Sequence, residues 1–175
     1  MVDQVSTDII MNLVLGSNAI EAESSAALSD STLLDGFTAG RYFEIESIDL
    51  GIEKPAGSTK GAATDLTKIT VRRRIDRASL AILDCCFGAK PLASATVVKR
   101  RASGTDVAGE PYLKIKFNGV LITEVAWDDE ELINENFSFI CRSMSFTYRA
   151  QNPDGSMLGD FNAEWKQVAS GATKT

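Results

Sequence analysis

The chain has 175 residues, enough for one domain that builds its own core without disulfide or metal support. Its 18 Lys and Arg stand against 24 Asp and Glu, a net charge of −6, which argues against nucleic acid as a partner. There is no histidine, which removes Ser-His-Asp and Cys-His catalysis, His-ligated zinc and imidazole pH switching together.

The first apolar segment alternates. Ile9, Met11, Leu13 and Leu15 fall on one parity and Asp8 and Asn12 on the other, which predicts a half-buried strand. This run is short and preceded by Asp3 and Asp8, unlike a signal peptide, and no stretch nears the ~20 apolar residues of a membrane span. A soluble product without membrane insertion is expected. Residues 16–40, rich in Ser, Ala, Asp and Gly, read as a long loop with a helical turn around 20–28. A second strand is predicted over 41–52, its apolar residues switching from odd positions (Phe43, Ile45) to even ones (Ile48, Leu50, Ile52). Residues 53–65 carry Pro and Gly and no large apolar residue, and read as an extended mobile loop.

Residues 66–75 form the third predicted strand, with Ile69, Val71 and Ile75 on one parity and Lys68, Thr70, Arg72 and Arg74 on the other. A helix over about 76–87 follows: Asp76 is a natural N-cap, and Gly88 sits where a left-handed C-terminal cap belongs. Leu80, Leu83 and Phe87, widened by Ile82 and Cys86, supply a stripe to lie against a sheet. Three more strands are predicted over 91–101, 112–127 and 133–149. Within 112–127, Asn118-Gly119 signals either a hairpin turn or a bulge. In the last, Phe137, Phe139 and Cys141 are odd while Ile140, Met144, Phe146 and Tyr148 are even, the mark of a bulge or sharp coil. Long coiled strands suit a β-barrel or a curled two-sheet sandwich better than a flat sheet. Strands apolar on both faces, as at Val120-Leu121-Ile122, suit a face covered by another subunit.

Little in the chain carries chemistry. Cys85, Cys86 and Cys141 are odd in number and lack C-x-x-C spacing, so free buried thiols are expected. The run Asp128-Asp129-Glu130-Glu131 lacks the alternation and glycine of a calcium loop and reads as a solvated turn. The basic triplets Arg72-Arg73-Arg74 and Lys99-Arg100-Arg101 have no interleaved aromatic residues, so an acidic patch on a neighbouring subunit suits them better than nucleic acid. No G-x-S-x-G elbow, S-x-x-K or phosphate loop occurs. The expectation is no catalytic residue, no metal ligand, no cofactor and no enzyme. Two other readings stay open on the residues alone: a monomeric β-sandwich binding module for a peptide or glycan, and a histidine-free hydrolase working through carboxylates.

Several strings, in order, add a resemblance. Phe43-Glu-Ile-Glu-Ser-Ile-Asp-Leu-Gly51, Leu66 through Ser79 with its basic run before Asp-x-Ala-Ser, Cys86-Phe-Gly-Ala-Lys90, Phe137 to Tyr148 and Arg149-Ala-Gln-Asn-Pro-Asp-Gly155 resemble the haemolysin-coregulated protein (Hcp) family. That family supplies the inner-tube subunit of the bacterial type VI secretion system. The resemblance implies a phage-tail-tube-like, mainly β fold, a compact barrel with one flanking helix. Residues 1–175 would form a single tube-subunit domain ending in a short flexible tail at about 169–175. It implies hexameric rings that stack inside a sheath under a spike protein and carry or chaperone effectors in the lumen. Synthesis in the bacterial cytoplasm and export through the apparatus without a signal peptide follow from it, and with ten or so residues past Trp165 no fused toxin domain is expected. The 16–40 segment departs from the family: it is longer, richer in Ser and Ala, and lacks a histidine often found there. By the same resemblance the 53–65 loop looks like an arm reaching the adjacent ring, with Lys54, Pro55 and Lys60 near its tip. Arg72, Arg73 and Arg74 are then expected to face Asp128 and Asp129 across a junction, and Val120 and Ile122 to lie in the subunit interface.

Overall fold

The computed structural model describes residues 8–24, 26–53, 65–66, 68–101, 109–129 and 133–167. Lys54, Pro55, Lys60 and the 169–175 tail lie outside these residues. The elements run β1 (Asp8–Leu15), β2 (Asn18–Ala19), a 3-10 turn (Thr32–Leu34), β3 (Phe43–Glu44), β4 (Ser47–Asp49), β5 (Ile52–Glu53), β6 (Asp65–Leu66) and β7 (Ile69–Arg74). They continue through α1 (Ala78–Phe87), β8 (Leu92–Arg100), β9 (Pro111–Asp129), β10 (Ile133–Ile140), β11 (Ser143–Gln151) and β12 (Met157–Lys166).

The fold turns on β9. Its first half lies between β8 and β11, its second half beside β10, and every pairing is antiparallel. No hairpin forms at Asn118-Gly119. Gly119 instead takes a φ of 62° within a continuous strand, and a Cβ there would stand 2.9 Å from the Arg142 side chain. Only glycine holds that backbone without strain, so the strand bends there and serves both halves of the sheet. The predicted 133–149 strand likewise breaks at Cys141-Arg142 into β10, which joins β9 and β7, and β11, which joins β9 and β12.

The predicted 41–52 strand is a crossing. β3 pairs with β1, Ile45 N donates to Ile9 O at 2.9 Å, Glu46 N donates to Arg72 O at 2.8 Å, and β4 pairs with β7. This short segment therefore bonds to both ends of the run β1-β8-β9-β10-β7 and curls the sheet back on itself. The switch of apolar phase between Ile45 and Ile48 marks the step from one end to the other. Ile9, Met11, Val97, Ile115, Phe117, Ile69, Phe137 and Phe139 then share one core, with the Phe117 and Phe139 rings edge to face at 5.1 Å.

Residues 16–40 are more than a loop. Leu34, Phe37 and Tyr42 cover Ile10 and Val98 on the outer face of β1 and β8, forming a second small core. β1 is consequently buried on both faces, and Asn12 donates from Nδ2 to Gly36 O at 2.9 Å. The helical turn falls at 32–34 rather than in 20–28.

Helix α1 buries Ile82 and packs Cys86 on the core as expected, but turns Leu80 and Phe87 outward. Ala78, Ser79, Ile82 and Cys85 are buried, whereas Leu80 and Phe87 are 69% and 84% exposed. The helix is apolar almost all round, and the face with small residues won because it lets the axis approach the sheet closely. Asp76 does cap the start, accepting from Ala78 N at 2.8 Å while its own N–H donates to Ser79 Oγ at 3.1 Å. The left-handed residue at the other end is Ala89 (φ 47°), not Gly88 (φ −86°). Lys90 N to Cys85 O and Ala89 N to Cys86 O close a Schellman pair around it. Alanine in that region costs about 1 kcal/mol, so Ala89→Gly is expected to raise the thermal midpoint slightly, by up to that amount of stability. A lower midpoint in calorimetry would contradict the assignment. Among the described residues no helix is long and apolar enough to cross a membrane.

Candidate subunit interface

Of the predicted charge junction, the structure removes Arg73 and gives the neighbouring cations partners within their own chain. Lys68 pairs with Glu124 at 2.6 Å, and Arg72 and Arg74 both reach Glu46 at 3.2 and 3.6 Å, all on the surface of their own chain. Arg73 is 0% exposed and cannot meet Asp128 or Asp129 of any neighbour. Its position shares parity with Ile69 and Val71, so strand geometry drives it inward. Val120 and Ile122 are also buried in their own core and offer no side chain to another subunit. Asp128 is exposed, at the far end of β9.

Arg73 lies directly opposite Glu135 in the β7–β10 ladder, with Nε 3.4 Å from Glu135 Oε2. Its Nη2 donates to Asp76 Oδ1, and the guanidinium sits 4.0 Å over the Phe43 ring. Glu135 also accepts from Trp127 Nε1 at 3.0 Å and from Ser79 Oγ at 3.2 Å. This buried cluster ties β7, β9, β10 and the start of α1 together. It holds one cation against two carboxylates, and burial pushes the Glu135 carboxyl above its ordinary range despite help from Trp127, Arg73 and Ser79. Burial raises Asp8 likewise, against its pairing with Arg100. A carboxyl raised on folding contributes stability that is complete below its unfolded pKa and is lost as pH rises through its folded value. Stability should therefore increase as pH falls from neutrality towards about 4.5, the unperturbed Glu value. Urea midpoints across that range measure this, and Glu135→Gln should flatten the trend; an unchanged profile would contradict it.

The three thiols are free, Cys85 and Cys141 fully buried. Burial pushes Cys141 up to about 11, which leaves it inert as a nucleophile.

What the chain leaves uncovered is at its other margin. β12 was not foreseen, although Met157, Phe161, Ala163 and Trp165 alternate with Leu158, Asp160, Asn162 and Glu164 and carry a period-two signal. Among the described residues β12 pairs only with β11, so its outer edge is open over ten residues. The register places Trp165 opposite buried Met144, Ala163 opposite Phe146, and Phe161 opposite Tyr148. Directly opposed residues share a face. The face that covers the core at Met144 thus continues outward to Tyr148, which meets the Tyr112 ring edge to face at 6.4 Å and is still 44% exposed, and to Phe161, which is 62% exposed. Met157 and Leu158 are exposed beside it. A long, open, apolar edge is a template for another chain.

Comparison with known proteins bears on this arrangement. Residues 39–149 match the family model described as "Type VI secretion system effector, Hcp". Among solved structures, the chain is similar to a type VI secretion system effector from Yersinia pestis, at 22% identity and a TM-score of 0.67 over 91% of this chain and 99% of that one. It is similar to Hcp1 from Salmonella typhimurium, at 21% identity and a TM-score of 0.65 over 91% and 93%. It is also similar to the secreted protein Hcp3 from Pseudomonas aeruginosa, at 12% identity and a TM-score of 0.65 over 94% and 100%. A search of curated proteins finds no match.

Proposed function

Because the chain belongs to the Hcp family of type VI secretion proteins, structural tube proteins and not enzymes, we propose that it closes into hexameric rings that stack as the inner tube. Effectors travel in, and are sheltered by, the lumen of that tube, which engages the sheath, the spike protein and the effectors themselves. The observation that carries this reading is the β12 edge, open among the described residues, with its exposed Phe161 and half-exposed Tyr148. A cyclic ring needs two different, complementary surfaces per subunit, and an unpaired strand whose core-side face overhangs the core supplies one of them. Burying an aromatic pair there removes apolar area from water at about 25 cal/mol per Å² in each junction. The apolar outer stripe of α1, Leu80 and Phe87, is a second uncovered surface in the same chain.

Light scattering on the purified chain tests the reading. A mass near six times 18.9 kDa is expected, with rings in negative-stain images. A monomer at high concentration would overturn it and favour a free-standing binding module.

A further inference from the structure

Among the described residues, Gly119 is the one left-handed residue inside a strand, and it stands where the sheet divides. β9 pairs with β11 over Leu113–Asn118 and with β10 from Leu121 to Asp129, so Gly119 and Val120 form the joint between two half-sheets. The neighbouring strand breaks on the same line. Arg142, between β10 and β11, donates from its backbone N–H to Asn118 O at 2.9 Å, and its carbonyl accepts from Gln167 N at 2.8 Å, just past the end of β12. The aliphatic stem of Arg142 lies over Gly119: a Cβ added there would stand 2.9, 3.0 and 3.2 Å from Arg142 Cδ, Cγ and Cβ. The joint asks for a positive φ and leaves no space for a side chain unless that flexible stem moves; glycine meets both demands.

The two apolar surfaces that the chain leaves exposed lie on opposite sides of this joint. The β12 edge is carried by β11 on the first half of β9. Helix α1, with Leu80 and Phe87 outward, is tied at its start to the other half-sheet: Ser79 Oγ donates to Glu135 on β10 at 3.2 Å, and Asp76 accepts from Arg73 on β7. The halves are hydrogen-bonded together again at the 45–46 crossing, which holds no left-handed residue. The angle between the two surfaces therefore depends on the bend at Gly119. A ring of six closes only when each subunit turns its two junctions by about 60° relative to one another. We infer that Gly119, braced by Arg142, is the positioning residue that fixes this turn and thereby the number of subunits in the ring. The proposal rests on the tube reading and deepens it: the junctions supply attraction, and the bend supplies closure. Heterologous contacts set at another angle join copies into open arcs or into rings of a different order.

Substitutions at Gly119 test this without altering either surface. Gly119→Asn and Gly119→Val crowd Arg142 alike, but Asn tolerates a positive φ and β-branched Val does not. Both are compared with the wild type by circular dichroism, scattering mass and negative-stain images. Asn should keep closed rings of the wild-type subunit number, within about threefold in yield, whereas Val should lower that yield by about tenfold or more. The Val chains should still associate, as arcs or rings of another number, well above the 18.9 kDa of one chain. A folded Val variant with wild-type rings overturns the inference. So does an Asn variant that loses rings as fully as Val, because space and not the bend would then decide. Val monomers would place Gly119 inside a junction and overturn it as well. If Val does not fold, Gly119→Ala decides: it is smaller than Asn but less tolerant of a positive φ, so it should close fewer rings than Asn, and an equal or higher yield overturns the inference. In all these cases the ring reading stands; a wild-type chain that stays monomeric overturns both.

Discussion

Glu135→Ala is expected to cost the fold about 3–5 kcal/mol, read as a lower urea midpoint at neutral pH. The size follows from what the substitution strands. Arg73 is fully buried, and its Nη1 already lacks a partner, so without Glu135 its charge rests on Asp76, the Arg74 carbonyl oxygen and the Phe43 ring. Trp127 Nε1 and Ser79 Oγ lose their acceptor as well. The loss should spread, because those groups sit on β9 and on the first turn of α1. Replacing both charges together, Arg73→Met with Glu135→Leu, should recover most of the loss, since a buried ion pair exchanged for apolar residues of similar volume is often neutral. A Glu135→Ala midpoint within about 1 kcal/mol of wild type would show that water reaches Arg73, and the closed cluster would be wrong.

That cluster also shows what could be read from the residues and what could not. The strand over 66–75 was legible, and so was its parity; Arg73 sits on the odd set with Ile69, Val71 and Ile75. Treating the three arginines as one basic stripe hid the one that alternation turns inward. Its partner Glu135 is 62 residues away, and only the β7–β10 register brings the two opposite one another. Both phase switches were visible as well, but not their meaning. One is a bend between two strands at Cys141-Arg142, the other a crossing that ties β1 to β7. The helix was legible in position and in its Asp76 cap. Its buried face was not, because α1 is apolar on nearly every side and close approach to the sheet favours Ala78, Ser79 and Cys85 over Leu80 and Phe87. For β12 the alternation was there to be seen. Its role depends on the register with β11, which alone separates a core-facing Trp165 from an overhanging Phe161.

Phe161→Lys should abolish the ring while sparing the subunit, the second large effect. Phe161 is mostly exposed in the single chain and leans on no core residue, so the substitution should move the unfolding midpoint by no more than about 0.5 kcal/mol. In the proposed ring the same side chain would lie beside an edge that another copy covers. There an ammonium would be buried without a partner, and loss of the aromatic anchor alone costs about 2 kcal/mol or more. At roughly 1.4 kcal/mol per tenfold, each junction weakens by some thirtyfold or more. A ring repeats that loss at every junction, so at micromolar concentration the scattering mass should fall to the 18.9 kDa of the single chain. Circular dichroism should stay that of the wild type. Phe161→Leu, which keeps apolar area without charge, should retain the ring at higher concentration. If Phe161→Lys keeps the mass of the wild-type ring, the β12 edge is not where subunits meet, and the outer stripe of α1 at Leu80 and Phe87 becomes the surface to alter next.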